Sequence, residues 1–223
     1  MNNRISIDVM RTHLKLYLVM GSVNGLKDPV EIVKEAIAGG LTMFQYREKG
    51  QGALQGQARY DLGKKLQQLC RQQGIPFIVN DDVELALSLE ADGIHIGQED
   101  GQVPWIRSKL GNKIMGVSAH NIEEAELALE QGADYLGVGP MYATRTKLDA
   151  RDVQGPSVIR DMRESGIVAP LVGIGGIGLG NAAAVIQSGA DGIAVISAIS
   201  QAPFTRLVTR QLLQGGYDNS NID

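Results

Sequence analysis

Eight short runs of apolar and β-branched residues recur along the chain, each followed by a longer stretch whose apolar positions have helical spacing. The runs are LKLYLVMG (14–21), TMFQYREK (42–49), PFIVND (76–81), GIHIG (93–97), KIMGVSAH (113–120), DYLGVGP (134–140), APLVGIGG (169–176) and GIAVISAI (192–199). Several are nearly continuous apolar runs, as expected of strands covered on both faces. The intervening segments predict helices, with Asp28-Pro29 and Asn121 as starts and Gly39-Gly40, Gly74 and Gly132 as stops. Ala91-Asp92-Gly93-Ile94, Ala133-Asp134-Tyr135-Leu136 and Ala190-Asp191-Gly192-Ile193 repeat one helix-to-strand junction. Eight strand–helix pairs, with no linker between them, predict an α/β chain closed into a single (β/α)8 TIM barrel rather than a doubly wound sheet. The expectation is one domain over residues 1–223, with the barrel proper at about 14–216 and an extra N-terminal helix within 1–13.

Composition narrows the function more than the fold. Hydrophobic residues make up 43% and charged residues 21%, which excludes a disordered chain. A formal net charge of −4 argues against nucleic acid or an anionic membrane as partner, so any bound anion needs a local cluster of cations. Cys70 is the single cysteine and sits in the helical stretch 58–74; it reads as a buried apolar thiol in a reducing compartment. The segment MNNRISIDVMRTHLKLYLVMGS carries Lys15 inside its apolar run and no small-residue cleavage pattern, so no secretory signal is expected. No stretch approaches the ~18 apolar residues of a membrane span. The expected location is cytoplasmic.

Unusual polar residues gather where the predicted strands end, which is the face on which such barrels carry chemistry. Gln45, Arg47 and Lys49 end the second run, and Asn80, Asp81 and Asp82 the third. Gln98, Glu99 and Asp100 follow the fourth, Ser118 and His120 end the fifth, and Thr144, Arg145, Thr146 and Lys147 follow the sixth. Residues 173–176 close the seventh run, and Ile196 and Ser197 the eighth. Plainer readings stand beside these. Asp82 suits a helix cap and Asp100 a solvated loop acid. Glu48 alternates away from Arg47 and Lys49, as a structural ion-pair partner would, and Tyr46 shares its parity. His95, flanked by isoleucines, reads as a hydrogen-bonded core histidine before a catalytic one; His120 suits either role.

Alternate residues of a strand share a face, so Gln45, Arg47 and Lys49 point together toward the lumen or its rim. Crowded cations there are costly unless an anion joins them, and Lys147 could add a third. Arginine suits bidentate phosphate oxygens and lysine acts as a point charge. Asp81 and Asp100 add the oxygen donors of a hard divalent ion, which points to a diphosphate bridged by Mg2+. Residues 172–176 with Ile196 and Ser197 fit a second phosphate site after the last two strands. GIGGIG (173–178) also matches G-x-G-x-x-G, but it falls in the seventh unit, and Asp191 precedes the next strand where a ribose-binding acid should end it.

Taken in order, QYREK, VNDD, GIHIGQED, GVSAH, GPMYATRTK, VGIGGI and ISAIS resemble the thiamine phosphate synthase family from about Leu14 to Ser200. The resemblance implies a transferase that joins a hydroxymethylpyrimidine diphosphate to a thiazole phosphate and releases pyrophosphate, with Mg2+ as cofactor. It implies that Gln45, Tyr46, Arg47, Glu48, Lys49, Asn80, Ser118 and Lys147 bind the pyrimidine diphosphate, with Arg47, Lys49, Ser118 and Lys147 acting in catalysis. Thr144, Arg145, Thr146, Gly176, Ile196 and Ser197 would receive the thiazole phosphate, and Asp81 and Asp100 the metal. Separately from the resemblance, the long loops 50–57 and 141–156, with Gly50, Gly52, Gly56 and Gly155, have the reach and freedom to close over the substrates. Whether they close as lids stays open. Self-association and the choice of Mg2+ or Mn2+ stay open. The alternatives are a thiazole phosphate tautomerase, a phosphosugar barrel using His95 or His120, and a non-catalytic phosphate-ligand sensor.

Overall fold

The computed structural model describes residues 4–97, 102–144 and 153–217. Strands β1 (Leu16–Met20), β2 (Met43–Tyr46), β3 (Phe77–Asn80), β4 (Gly93–Ile96), β5 (Ile114–Ala119), β6 (Tyr135–Val138), β7 (Leu171–Ile174) and β8 (Gly192–Val195) pair in parallel and in chain order. Pairing of β1 with β8 closes the barrel. Outside it lie α2 (Pro29–Ala38), α3 (Gly56–Gln72), α4 (Val83–Ser88), α5 (Val103–Leu110), α6 (Ile122–Glu130), α7 (Ser157–Glu164), α8 (Ala182–Gln187), α9 (Ser197–Ser200) and α10 (Thr205–Tyr217). Helix α1 (Ile7–Leu14) precedes them, overlapping residues 1–13, where an extra helix is expected, and ending one residue beyond.

Side-chain caps mark the starts of α2, α4 and α6. Asp28 accepts from Val30 N and Glu31 N with Pro29 at the first helical position, and Asn121 accepts from Glu124 N. Asp82 caps α4 by accepting from Leu85 N, while its other oxygen meets Arg59 Nη1 at 2.8 Å.

Two apolar layers result. The outer one lies between strands and helices and includes Phe44, Tyr46, Leu66, Phe77 and Cys70. The inner one fills the lumen with Tyr17, Val19, Met43, Ile78, Ile114, Tyr135 and Val172. Met10 and Leu14 of α1 join this inner layer and close its N-terminal end, fully buried at about 2 kcal/mol each.

That closed end is fastened by a fourfold latch. Thr42, Asp92, Asp134 and Asp191, each just before an even-numbered strand, accept from the backbone N–H of Leu16, Phe77, Met115 and Leu171 in the preceding odd strand, each at 2.8 Å. In return the backbone N–H of each donates to the carbonyl of the same partner. The repeated Ala-Asp junctions of the sequence are three of these latches; the fourth uses Thr42. Two are reinforced by arginine. Arg107 holds Asp134 at 2.7 Å and donates to the carbonyls of Gly111, Lys113 and Gly132. Arg163 does the same for Asp191, at 2.7 Å, with Ile167, Ala169 and Gly189. The N-terminal segment grips the same acids, Arg4 on Asp134 at 2.6 Å and Arg11 on Asp191 at 3.0 Å.

Candidate active site at the barrel mouth

A cavity of about 900 Å3 opens at the C-terminal ends of the strands. Gln45, Arg47 and Lys49 reach it from β2 and the loop beyond, Asn80 and Asp81 from the end of β3, and Ser118 and His120 from β5. Thr144, Gly176, Ile196 and Ser197 line the opposite side. The expected residues within the described part of the chain therefore share one cavity, with two exceptions.

Those exceptions are Tyr46 and Glu48, expected as substrate contacts and absent from the cavity lining. The period of two sends both outward. Tyr46 is buried against α3, where its hydroxyl donates to Arg59 O at 2.9 Å and its ring touches the face left bare by Gly63. Burial, and then the Glu48 carboxylate, push its phenol up from the ordinary range. Glu48 is buried and accepts from Ser22 N and Leu54 N, both at 2.8 Å, and from the Ser22 hydroxyl. It ties the loops after β1 and β2 together. Asp100, Arg145, Thr146 and Lys147 lie outside the described residues, as does the middle of the 141–156 loop.

β2 is shorter than its sequence run. The Arg47 N–H still donates to Met20 O at 3.0 Å, but strand pairing ends at Tyr46, so Arg47 and Lys49 project from the loop over the rim. Lys49 Nζ pairs with the Asp81 carboxylate across the β2–β3 boundary. Asp81 holds φ at 61°, the left-handed region that aspartate and asparagine tolerate better than most side chains, and its N–H donates to His95 O at 2.8 Å. The backbone thus aims the carboxylate into the cavity. Asp81 and the Asn80 amide supply hard oxygen donors, as Mg2+ prefers, with Lys49 supplying the compensating charge here. Among the described residues no group of three or more His, Cys, Asp or Glu side chains is placed to hold a metal by itself.

Across the cavity, residues 175 and 176 turn with φ of 102° and 65°. A Cβ on Gly176 would lie 2.7 Å from Ala143 O, so only glycine lets the β7 loop pass under the β6 loop. His120 is held by the start of α6, its Nδ1 2.8 Å and its backbone N 2.9 Å from Glu124 Oε2.

On the floor, Gln45, His95 and Ser118 are joined by two groups that the motifs did not reveal, Tyr17 and Tyr135. Gln45 Nε2 donates to Tyr17 Oη at 2.7 Å, and Tyr17 Oη lies 2.9 Å from Tyr135 Oη. His95 Nδ1 is 3.0 Å from Tyr135 Oη, and His95 Nε2 is 3.1 Å from Ser118 Oγ. Burial holds both tyrosine hydroxyls protonated far above the ordinary phenol range. Glycines make the room: a Cβ on Gly116 would fall 2.1 Å from the Tyr135 ring and 2.5 Å from His95 Nδ1, and one on Gly137 2.8 Å from His95 Cε1. Glycines at inward positions of two successive strands were the available sequence signal of such an approach.

The fold and the mouth define an α/β barrel whose cavity, lined by cations on one side and a glycine-rich loop on the other, is fitted to an anionic ligand. The family profile described as thiamine monophosphate synthase matches residues 16–199. A thiamine-phosphate synthase of Bacillus cereus is 55% identical over 212 residues, covering 95% of each chain. One of Geobacillus thermodenitrificans is 54% identical over 200 residues, covering 90% of each. The solved thiamine phosphate pyrophosphorylase of Pyrococcus furiosus superposes with a TM-score of 0.83 at 40% identity, covering 92% of this chain and 96% of that one. This chain belongs to the thiamine monophosphate synthase family, transferases of thiamine biosynthesis.

Proposed function

We propose that the chain condenses 4-amino-2-methyl-5-(diphosphooxymethyl)pyrimidine with thiazole phosphate, giving thiamine phosphate and pyrophosphate. The observation that carries this reading is the convergence of Arg47, Lys49, Asn80 and Asp81 on one side of a cavity whose other side is a glycine-rich loop. The cations and amide fit a diphosphate; the loop after β7, with Ile196 and Ser197, fits a monophosphate through close backbone approach.

In this reading the pyrimidine diphosphate ionises first, and the thiazole nitrogen attacks the resulting carbocation. Such chemistry needs no side-chain nucleophile. It needs the growing charge on the departing pyrophosphate to be neutralised by groups already in place. Arg47 and Lys49 do this, with Lys147 as a third cation by family resemblance. Gln45 and Ser118 orient the pyrimidine from below. Val172, Ile174 and Ala194, which also line the cavity, keep water from the cation. Mg2+, held by Asp81 and Asp100 together with phosphate oxygens, would supply further positive charge to the leaving group. Removing one such preorganised group typically costs ~3 kcal/mol, about a hundredfold in rate.

The test mixes both substrates with the protein and measures free pyrophosphate and thiamine phosphate. Asp81→Asn keeps a residue suited to φ of 61° and removes the charge, so the rate should fall about a hundredfold with the fold intact. Undiminished turnover in excess chelator would remove Mg2+ from the scheme. Absence of pyrophosphate from wild-type protein with both substrates present would favour the tautomerase or sensor readings.

A further inference from the structure

The five groups on the cavity floor form an unbroken hydrogen-bonded series, Gln45–Tyr17–Tyr135–His95–Ser118, drawn from β2, β1, β6, β4 and β5. We propose that this series is a one-way positioning relay: the Gln45 amide sets its direction, and the relay holds His95 as the Nε2–H tautomer so that Ser118 Oγ is always an acceptor toward the histidine.

Proton counting gives the direction. A phenol has one hydrogen to donate, and an amide NH2 can only donate. Gln45 Nε2 occupies Tyr17 Oη as donor, so the Tyr17 hydrogen is left for Tyr135 Oη. Tyr135, having accepted, donates its own hydrogen to His95 Nδ1. A ring nitrogen that accepts carries no proton, so the imidazole hydrogen sits on Nε2 and points at Ser118 Oγ. The serine hydroxyl hydrogen is then turned away from His95, on the side where Ser118 lines the cavity.

The surroundings keep this order from relaxing. Tyr17 and Tyr135 are about 1% and 0% exposed, with their rings edge to face at 6.1 Å, so no solvent competes for the hydroxyls. Gly116 and Gly137 fit closely around the His95 and Tyr135 rings. Gln45 is only 3% exposed yet reaches the cavity, so the amide that sets the direction also faces the substrate side. Tyr17, Tyr135 and His95 are positioning residues acting through Ser118 and Gln45. Only the kinetic consequence rests on the proposed condensation; the tautomer does not.

The experiment is a long-range 1H–15N correlation on the uniformly labelled, substrate-free protein. It contains three histidines, so His95 is assigned by the signals that persist in His13→Gln and His120→Gln. The expected pattern is a pyridine-type Nδ1 and a pyrrole-type Nε2. Gln45→Glu replaces the donor with an acceptor and should invert the pattern to Nδ1–H, whereas Tyr135→Phe should leave a mixture of both tautomers. In the synthase assay Tyr135→Phe should lower kcat about tenfold with each KM changed by no more than about twofold. An Nδ1–H signal in the wild-type protein would overturn the relay even if no variant folded. So would an unchanged His95 pattern in either variant. Pyrophosphate release by wild-type protein reports separately on the condensation, so the two ideas can fail independently.

Discussion

Replacing Arg163 with alanine should lower stability markedly and leave catalysis untouched. Its guanidinium makes four hydrogen bonds, to the carbonyls of Gly189 (3.0 Å), Ile167 (2.8 Å) and Ala169 (2.7 Å) and to Asp191 (2.7 Å). Hydrogen bonds involving a charged group contribute roughly 1.5–3 kcal/mol each, but they share one side chain and do not add. The arginine side chain is 22% exposed, so water would recover part of what the carbonyls lose. Asp191 would keep Arg11 and the Leu171 N–H, so its charge is not stranded. A net loss of about 3 kcal/mol follows. At roughly 2–4 °C per kcal/mol for a chain of this size, Tm should fall by about 6–12 °C in calorimetry. Arg163→Lys keeps the charge for Asp191 but lacks the planar fork that spans three carbonyls, and should recover less than half of the loss. Pyrophosphate release well below Tm should match wild type, because the latch lies at the end of the barrel opposite the cavity. A Tm change under about 2 °C would refute the energetic reading. Normal stability with a lost kcat would refute the separation of fastening from chemistry.

Arg47→Ala should weaken the pyrimidine diphosphate far more than the thiazole phosphate; equal losses in both KM values would place Arg47 elsewhere. Tyr46→Phe, by contrast, removes a bond to Arg59 O and should leave both substrates bound normally while costing about 1 kcal/mol in urea unfolding. Gly116→Ala drives a methyl into Tyr135 and His95, so it should destabilise by about 1–3 kcal/mol by the same measurement; a neutral change would mean the lumen is looser than described. The Cys70 thiol is buried and pushed up to about 12, chiefly by burial, so a thiol reagent at neutral pH should label it only after denaturant unfolding.

The strand count, barrel and polar mouth were readable because strands covered on both faces leave apolar runs and because the odd residues fell at the strand ends. Parity correctly separated Gln45 and Arg47 from Tyr46 and Glu48, whereas the resemblance grouped all of them as substrate contacts. A contiguous motif such as QYREK mixes two faces, and only the alternation tells them apart. The relay was not legible. No motif sets Tyr17 or Tyr135 apart, and they meet only because closure brings β1, β4 and β6 to one lumen across 118 and 40 residues of chain. The latch at Thr42 escaped for a simpler reason, since a hydroxyl there replaces the carboxylate that marked the other three.

Each latch joins an odd strand to the even strand that follows it, and none bridges an even strand to the next odd one. The cylinder is therefore assembled from four staves, each a parallel βαβ piece with its own clasp. A chain severed in the turn after α4 would cut through a stave, whereas one severed between β4 and β5 would leave two halves with every clasp whole. Those halves, expressed as separate polypeptides, are the pieces with the best prospect of finding each other again.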